Sequence, residues 1–315
     1  MAERNKIAFV FPGQGSQYVG MGKELYDQHR VAKQVFHEAE EVLGFPLTRL
    51  CFAGPEADLK LTANTQPAVL TVSIAALRVL HSETSLRADF VAGHSLGEYS
   101  ALVCAEALAF ADAVKVVHER GRLMQEAVPP GTGAMAAVLG LEMDAVRSLC
   151  DEASEDQVVA PANYNGGGQV VIAGAKAAVG RAMAFARERG AKRVLDLPVS
   201  APFHCPMMQP AADGLKRILE GISLKPLSIG VINNVEADVN RDRDRVKSLL
   251  IEQAVKPVRW DESVRKLHEI GCDRVLEIGP GKVLTGMIKR ISPGLEVDHF
   301  ESALDLARVK AKWPR

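Results

Sequence analysis

The stretch Ala88-Asp89-Phe90-Val91-Ala92-Gly93-His94-Ser95-Leu96-Gly97-Glu98-Tyr99-Ser100-Ala101-Leu102 decides the fold of this chain. Its first five residues form a short apolar run that reads as a buried strand, and the residues from Gly97 to Ala105 read as a helix. Between them lies G-x-S-x-G, the pattern of a nucleophile elbow, which places one serine at the top of a parallel sheet. The flanking glycines let the chain turn without a Cβ clash, so Ser95 is expected on strained backbone with its hydroxyl exposed. The N–H groups at the helix start would then face negative charge forming beside it.

The same rhythm recurs on both sides. Lys6 to Phe11 reads as a strand followed by a helix near Gly20 to Val42; Ser228 to Asn233 precedes a helix near Asp242 to Gln253; Asp273 to Ile278 precedes a helix from Val283. Such alternation predicts an α/β fold with a parallel sheet and functional loops at the carboxyl ends of its strands. Between Pro129 and Ser200 the order becomes strand, helix, strand, strand, helix, strand. This βαββαβ pattern is that of a ferredoxin-like unit. The expected organisation is a catalytic unit of residues 1–128 and 201–315, with residues 129–200 inserted as a small subdomain and a ligand cleft between the two. Pro129-Pro130-Gly131 is the expected entry hinge and Pro198 to Pro202 the exit.

Composition excludes several classes. The chain has 315 residues, with 38 Lys and Arg against 39 Asp and Glu, so no basic excess points to nucleic acid. The longest apolar segment, Pro67 to Leu80, is interrupted by Thr71, Ser73 and Arg78, which argues against a membrane span. The apolar run Ile7 to Phe11 is too short for a signal-peptide core, so a cytoplasmic protein is expected. Cys51, Cys104, Cys150, Cys205 and Cys272 are scattered and odd in number, which favours reduced thiols over disulfides or a metal site.

A serine nucleophile needs a base. His204, in Ser200-Ala201-Pro202-Phe203-His204-Cys205-Pro206, sits where the insertion returns, and prolines on both sides restrict its backbone. His29, His37, His81 and His268 fall in polar helical surroundings and read as surface residues, His299 lies near the tail, and His94 reads as packing or orienting the elbow. The acid of a hydrolase triad is not evident: Asp196 is the candidate by position, and a backbone carbonyl would orient the imidazole equally well. In Glu119-Arg120-Gly121-Arg122-Leu123-Met124-Gln125, within a helix from Phe110 to Val128, an arginine could clamp a carboxylate or simply face solvent. Gly121 in mid-helix costs about 1 kcal/mol relative to alanine, so close approach to a ligand is expected there. Gly13-Gln14-Gly15 offers backbone N–H groups for an oxyanion, whereas Gly166-Gly167-Gly168 joins two strands and reads as a hairpin turn rather than a phosphate loop.

Six linked motifs resemble those of the malonyl-CoA:acyl-carrier-protein transacylases: F-P-G-Q-G-S-Q at Phe11 to Gln17, G-H-S-L-G-E-Y at Gly93 to Tyr99, E-R-G-R-L-M-Q at Glu119 to Gln125, N-Y-N at Asn163 to Asn165, Phe203-His204, and E-I-G-P-G at Glu277 to Gly281. The resemblance covers the chain in order and spacing up to about Phe300. It implies an α/β-hydrolase-like large subdomain with a ferredoxin-like small one. It further implies that Ser95 is acylated, that His204 is base and then acid, and that Gln14 and Leu96 N–H groups bind the oxyanion. Arg120 would hold the malonyl carboxylate, Asn163, Asn165 and Phe203 would line the substrate site, and the Gln253 carbonyl would orient the histidine.

The implied reaction is ping-pong malonyl transfer from malonyl-CoA to the phosphopantetheine thiol of acyl carrier protein, for fatty-acid synthesis, with no bound cofactor or metal and a monomeric chain. A polyketide carrier, a serine thioesterase or esterase, and a silent carrier-binding scaffold are the competing readings. An acidic carrier calls for a basic rim, with Lys282, Lys289 and Arg290, or Arg187, Arg189, Lys192 and Arg193, as candidates against ordinary solvated charge.

Overall fold

The structure is a computed structural model that describes residues 6–199 and 201–313. Ten strands form two sheets: β1 (Lys6–Phe11), β2 (Phe90–Gly93), β3 (Gly133–Leu139), β4 (Val159–Gly166), β5 (Gln169–Ala175), β6 (Arg193–Asp196), β7 (Gly230–Ile232), β8 (Val239–Asn240), β9 (Cys272–Ile278) and β10 (Glu296–Phe300). The larger sheet has the order β10-β9-β1-β2-β7-β8. All its pairs are parallel except β7 with β8.

Strand β1 shows why this sheet is covered on both sides. Ile7, Phe9 and Phe11 pack into one core with the long Thr62–Glu83 helix, while Ala8 and Val10 pack into another with Trp260, Leu284 and Ile288. Alternate side chains leave a strand on opposite faces, so a strand apolar at every position from Ile7 to Phe11 must be buried twice. The Thr62–Glu83 helix is buried almost all round. Among the described residues no helix is long and apolar enough to cross a membrane.

The second sheet has the order β4-β5-β3-β6 and is antiparallel throughout. Ala136, Val138, Val170 and Ile172 face the Met143–Ser154 and Lys176–Glu188 helices. Their neighbours Met135, Ala137, Val171 and Ala173 face Met124, Phe203 and Met208 on the other side. That second face closes over the large sheet's carboxyl edge. One seam is stitched by main chain: Val258 N–H donates to Ala162 O and Tyr164 N–H to Val258 O, both at 2.9 Å.

Several expectations need correction. The helix read from Gly20 to Val42 is two, Lys23–Gln28 and Arg30–Leu43, because His29 is extended (φ −123°, ψ 122°) and turns the chain so that Tyr26 and Phe36 meet edge to face at 5.5 Å. His81 is not a surface residue: it is half-buried near Phe9, and burial pushes its imidazole down to about 4. The tail forms an edge strand, β10, and a helix, Ala303–Lys312. Gly166, Gly167 and Gly168 all have positive φ, the backbone a tight β4–β5 hairpin demands. Ser200, in the exit hinge, lies outside the described residues.

Candidate active site

Two loops interlock above β1 and β2. His94 N–H donates to Phe11 O at 3.1 Å, a Cβ on Gly97 would lie 2.0 Å from Phe11 O, and one on Gly13 would lie 2.4 Å from His94 O. Only glycine permits that approach, and it brings Gln14 against the serine turn. Ser95 has φ 51°, the strained elbow expected. The strain is fixed by side chains from other segments. Ser95 N–H donates to Asn234 Oδ1 (2.7 Å), Asn234 Nδ2 to Gly93 O (2.7 Å), and Gln253 Nε2 to Ser95 O (3.1 Å).

His204 also lies in the left-handed region, at φ 58°, and is buried. Its Nε2 is 2.7 Å from Ser95 Oγ and its Nδ1 is 2.7 Å from Gln253 O. A carbonyl oxygen only accepts, so Nδ1 carries the proton and Nε2 is left to accept the serine hydroxyl. Burial, with the Arg120 charge second, pushes this imidazole down to about 3, so it is neutral and able to take a proton at neutral pH. Asp196 is exposed on β6; it is the Gln253 carbonyl that meets Nδ1. Cys205 is buried with its thiol donating to Pro202 O, away from this pair.

Arg120 is 1% exposed. Nη1 donates to Gln66 Oε1 (2.8 Å), and Nη2 donates to Gln253 Oε1 (2.9 Å) and Ser95 Oγ (3.2 Å). The guanidinium lies over the Tyr99 ring at 5.4 Å, and its buried Nε has no partner. All these acceptors are neutral, which leaves a buried positive charge with a spare donor beside the serine. Gly121 serves a different contact from the ligand expected: its Cβ would lie 2.6 Å from Thr62 O and 2.8 Å from Ala63 Cα, so it closes a helix crossing that positions Arg120.

These groups surround a cavity of about 130 Å³ lined also by Met124, Met135, Asn163 and Phe203. Its size suits a short acyl group. It shares Gln14, His94, Asn163, Leu197 and Val199 with a wider cavity of about 420 Å³ that runs out past Val283 and Met287. Neither Gln14 N–H nor Leu96 N–H donates to an acceptor among the described residues, and both flank the turn that carries Ser95. Asn165 reaches only the wider cavity and accepts from His94 Nε2 at 2.9 Å. The sequence reading missed Gln66, Glu98 and Asn234. Asn233-Asn234 directly follow β7, at the strand end where α/β sites form, and that signal was available.

Known proteins are similar to this chain over nearly its whole length. A family model described as "Acyl transferase domain" matches residues 8–303. The malonyl CoA-acyl carrier protein transacylase of Bacillus subtilis (strain 168) is 50% identical over 293 residues, covering 93% of this chain and 92% of that protein. The crystal structure of an acyl carrier protein S-malonyltransferase from Vibrio cholerae superposes with a TM-score of 0.95 at 49% identity, covering 97% of this chain and all of that one. A malonyl-transacylase solved in complex with a type II PKS acyl-carrier protein gives a TM-score of 0.94 at 46% identity, covering 96% of this chain and 98% of that one.

Proposed function

The chain belongs to the acyl transferase domain family, and we propose that its site carries out malonyl transfer through Ser95, His204 and Arg120. The protein is an acyltransferase that moves malonyl from malonyl-CoA to acyl carrier protein. The observation that carries the residue assignment is a buried arginine with only neutral partners, touching a serine that a neutral histidine also touches.

In the first half-reaction the Ser95 proton passes to His204 Nε2 as Oγ forms a bond to the thioester carbonyl carbon. Negative charge gathers on the carbonyl oxygen between Gln14 N–H and Leu96 N–H, and one such donor contributes about 2.7–4 kcal/mol in comparable sites. Collapse breaks the C–S bond, and the leaving thiolate takes the proton from His204. The second half reverses these roles: the carrier's phosphopantetheine thiol gives its proton to His204, sulfur attacks the malonyl-serine, and Oγ leaves and is reprotonated. Arg120 pairs with the malonyl carboxylate; an acetyl group would leave the buried guanidinium unpaired, which selects against it.

Asn163 and Phe203 wall the acyl cavity, Asn165 acts through His94, and the wider cavity takes the pantetheine arm. Lys282, Lys289 and Arg290 are exposed on the segment whose Val283, Leu284 and Met287 line that cavity, and supply the rim for an acidic carrier. We read the six-stranded unit, residues 1–128 and 201–315, as α/β-hydrolase-like and residues 129–200 as a ferredoxin-like subdomain. A cytoplasmic monomer supplying extender units for fatty-acid synthesis completes the reading.

Mixing the protein with labelled malonyl-CoA, mapping the label and then adding holo carrier protein tests it. Label on Ser95 that moves to the carrier thiol is expected. Label absent from Ser95, or released as free malonate, would overturn the assignment.

A further inference from the structure

Glu98 stands next to the elbow on the Gly97–Cys104 helix, is 3% exposed, and takes part in no step described above. One of its oxygens, Oε2, accepts from the Asn234 backbone N–H (2.9 Å) and from Gln253 Nε2 (2.8 Å). Gln253 extends the connection, since its Oε1 accepts from Arg120 Nη2. A carboxylate cannot donate, so it decides which way the Gln253 amide faces. Nε2 turns toward Glu98, Ser95 O and Asn234 Oδ1, and only Oε1 is left to meet the guanidinium. The pocket therefore contains a cation and a carboxylate separated by one neutral amide.

We infer that Glu98 is a positioning residue that orients the Gln253 amide toward Arg120 and takes up a proton when the malonyl carboxylate enters. The inference rests on the transacylase reading given above. A second carboxylate beside one guanidinium in a buried pocket disfavours two negative charges at once. Malonyl touches Arg120 directly while Glu98 is one amide away, so Glu98 is the group that protonates.

The titratable neighbours are few. Arg120 reaches Glu98 from the Phe110–Glu126 helix, Tyr99 is adjacent on its own helix with its phenol pushed up to about 12, and neutral His204 lies beyond Gln253. The parts of β1 and β2 that pack on this helix are apolar, and the Thr62–Glu83 helix brings Arg78 and His81 to its far end, beside Val103 and Cys104. Burial raises Glu98 to about 7, against the lowering effects of its two hydrogen bonds and Arg120, so the empty site is poised to take a proton. Because the malonyl-bound form binds that proton more tightly, malonyl affinity falls as pH rises above about 7.

The test is the rate of Ser95 acylation at low malonyl-CoA, read as protein mass without carrier so that no carrier thiol titrates. Between about pH 6.5 and 8.5 the efficiency should fall at least about fivefold, in KM rather than in the limiting rate, and acetyl-CoA should show no such limb. Glu98→Gln retains an oxygen for both accepted hydrogen bonds but not the charge, and should give a level profile. A limb that persists in Glu98→Gln, or that acetyl-CoA shares, overturns the inference. Where that variant does not fold, calorimetry on Ser95→Ala in two buffers of different ionisation enthalpy replaces it. Proton uptake greater with malonyl-CoA than with acetyl-CoA is expected, and equal uptake overturns the inference. A wild-type chain that never gains malonyl mass at Ser95 refutes the transacylase reading itself, an outcome distinct from a changed pH profile.

Discussion

Arg120 and Arg122 lie two residues apart on the Phe110–Glu126 helix, one on its inward face and one on its outward face. Arg122 is exposed and paired with Glu119 (2.8 Å) and Glu126 (2.7 Å). Arg120 is buried and meets only amide and hydroxyl oxygens. An exposed pair contributes about 0–1 kcal/mol because water and salt screen it. A buried guanidinium kept from a direct carboxylate partner remains available for a carboxylate that arrives with the substrate. The chain places its stronger charge partners where they matter least and reserves the unpaired cation for the site.

The largest expected effect breaks the inward side of this comparison. Arg120→Ala should lower kcat/KM for malonyl transfer by about 10²–10³-fold, in line with the 2–5 kcal/mol lost when one partner of a buried hydrogen-bonded charge pair is removed. Acetyl transfer should fall by less than about tenfold, and equal losses in a steady-state comparison would remove the carboxylate clamp from the account.

Next comes the crossing that positions Arg120. Gly121→Ala gains about 1 kcal/mol of helix propensity but drives a methyl into the Thr62 carbonyl, and overpacking costs about 1–3 kcal/mol. A lowered denaturation midpoint is expected; a raised one would mean that the two helices can separate without loss.

Buried carboxylates extend the comparison to pH. Glu98 and Glu277 are both raised to about 7, first of all by burial, and Glu277 accepts from Leu284 N–H (3.0 Å) and Thr285 N–H (2.7 Å). Each binds a proton in the fold that the unfolded chain releases near 4.5, so the stability tied to it is present below 4.5 and lost as pH rises through about 7. His204 and His81, lowered from 6.5 to about 3 and about 4, act in the opposite sense: their contribution is present above 6.5 and lost on acidification. The two sets oppose one another between 4.5 and 6.5, and above that only the carboxylates act. Urea midpoints should therefore fall from about pH 6.5 to about pH 8, and fall less in Glu277→Gln. A midpoint that rises over that window would show that these carboxyls are ionised within the fold.

The smallest effect is outward. Arg122→Ala should change stability by no more than about 0.5 kcal/mol and leave kcat/KM for malonyl unaltered. A loss of activity approaching that of Arg120→Ala would erase the distinction between the two faces.

Much of this architecture is written locally. The elbow, the βαββαβ order and most strand limits follow from alternation and glycine placement, which act over a few residues. The capping box Ser302–Asp305 is equally local and marks the start of the Ala303–Lys312 helix. Other features had no local sign. The break at His29 depends on Tyr26 and Phe36 finding each other, and the reason for Gly121 lies about sixty positions earlier, at Thr62 and Ala63.

By itself the sequence determined that Ser95 sits at a strained turn after a parallel strand, and that His204 and Arg120 belong to the same family pattern. Backbone sterics and linked motifs are properties of the chain alone. Only the tertiary structure decided that Arg120 rather than Arg122 turns inward, that Gln253 uses its side chain as well as its carbonyl, and that Glu98 is buried beneath both. Those outcomes depend on which groups lose water together, and no single segment of the chain specifies its own neighbours.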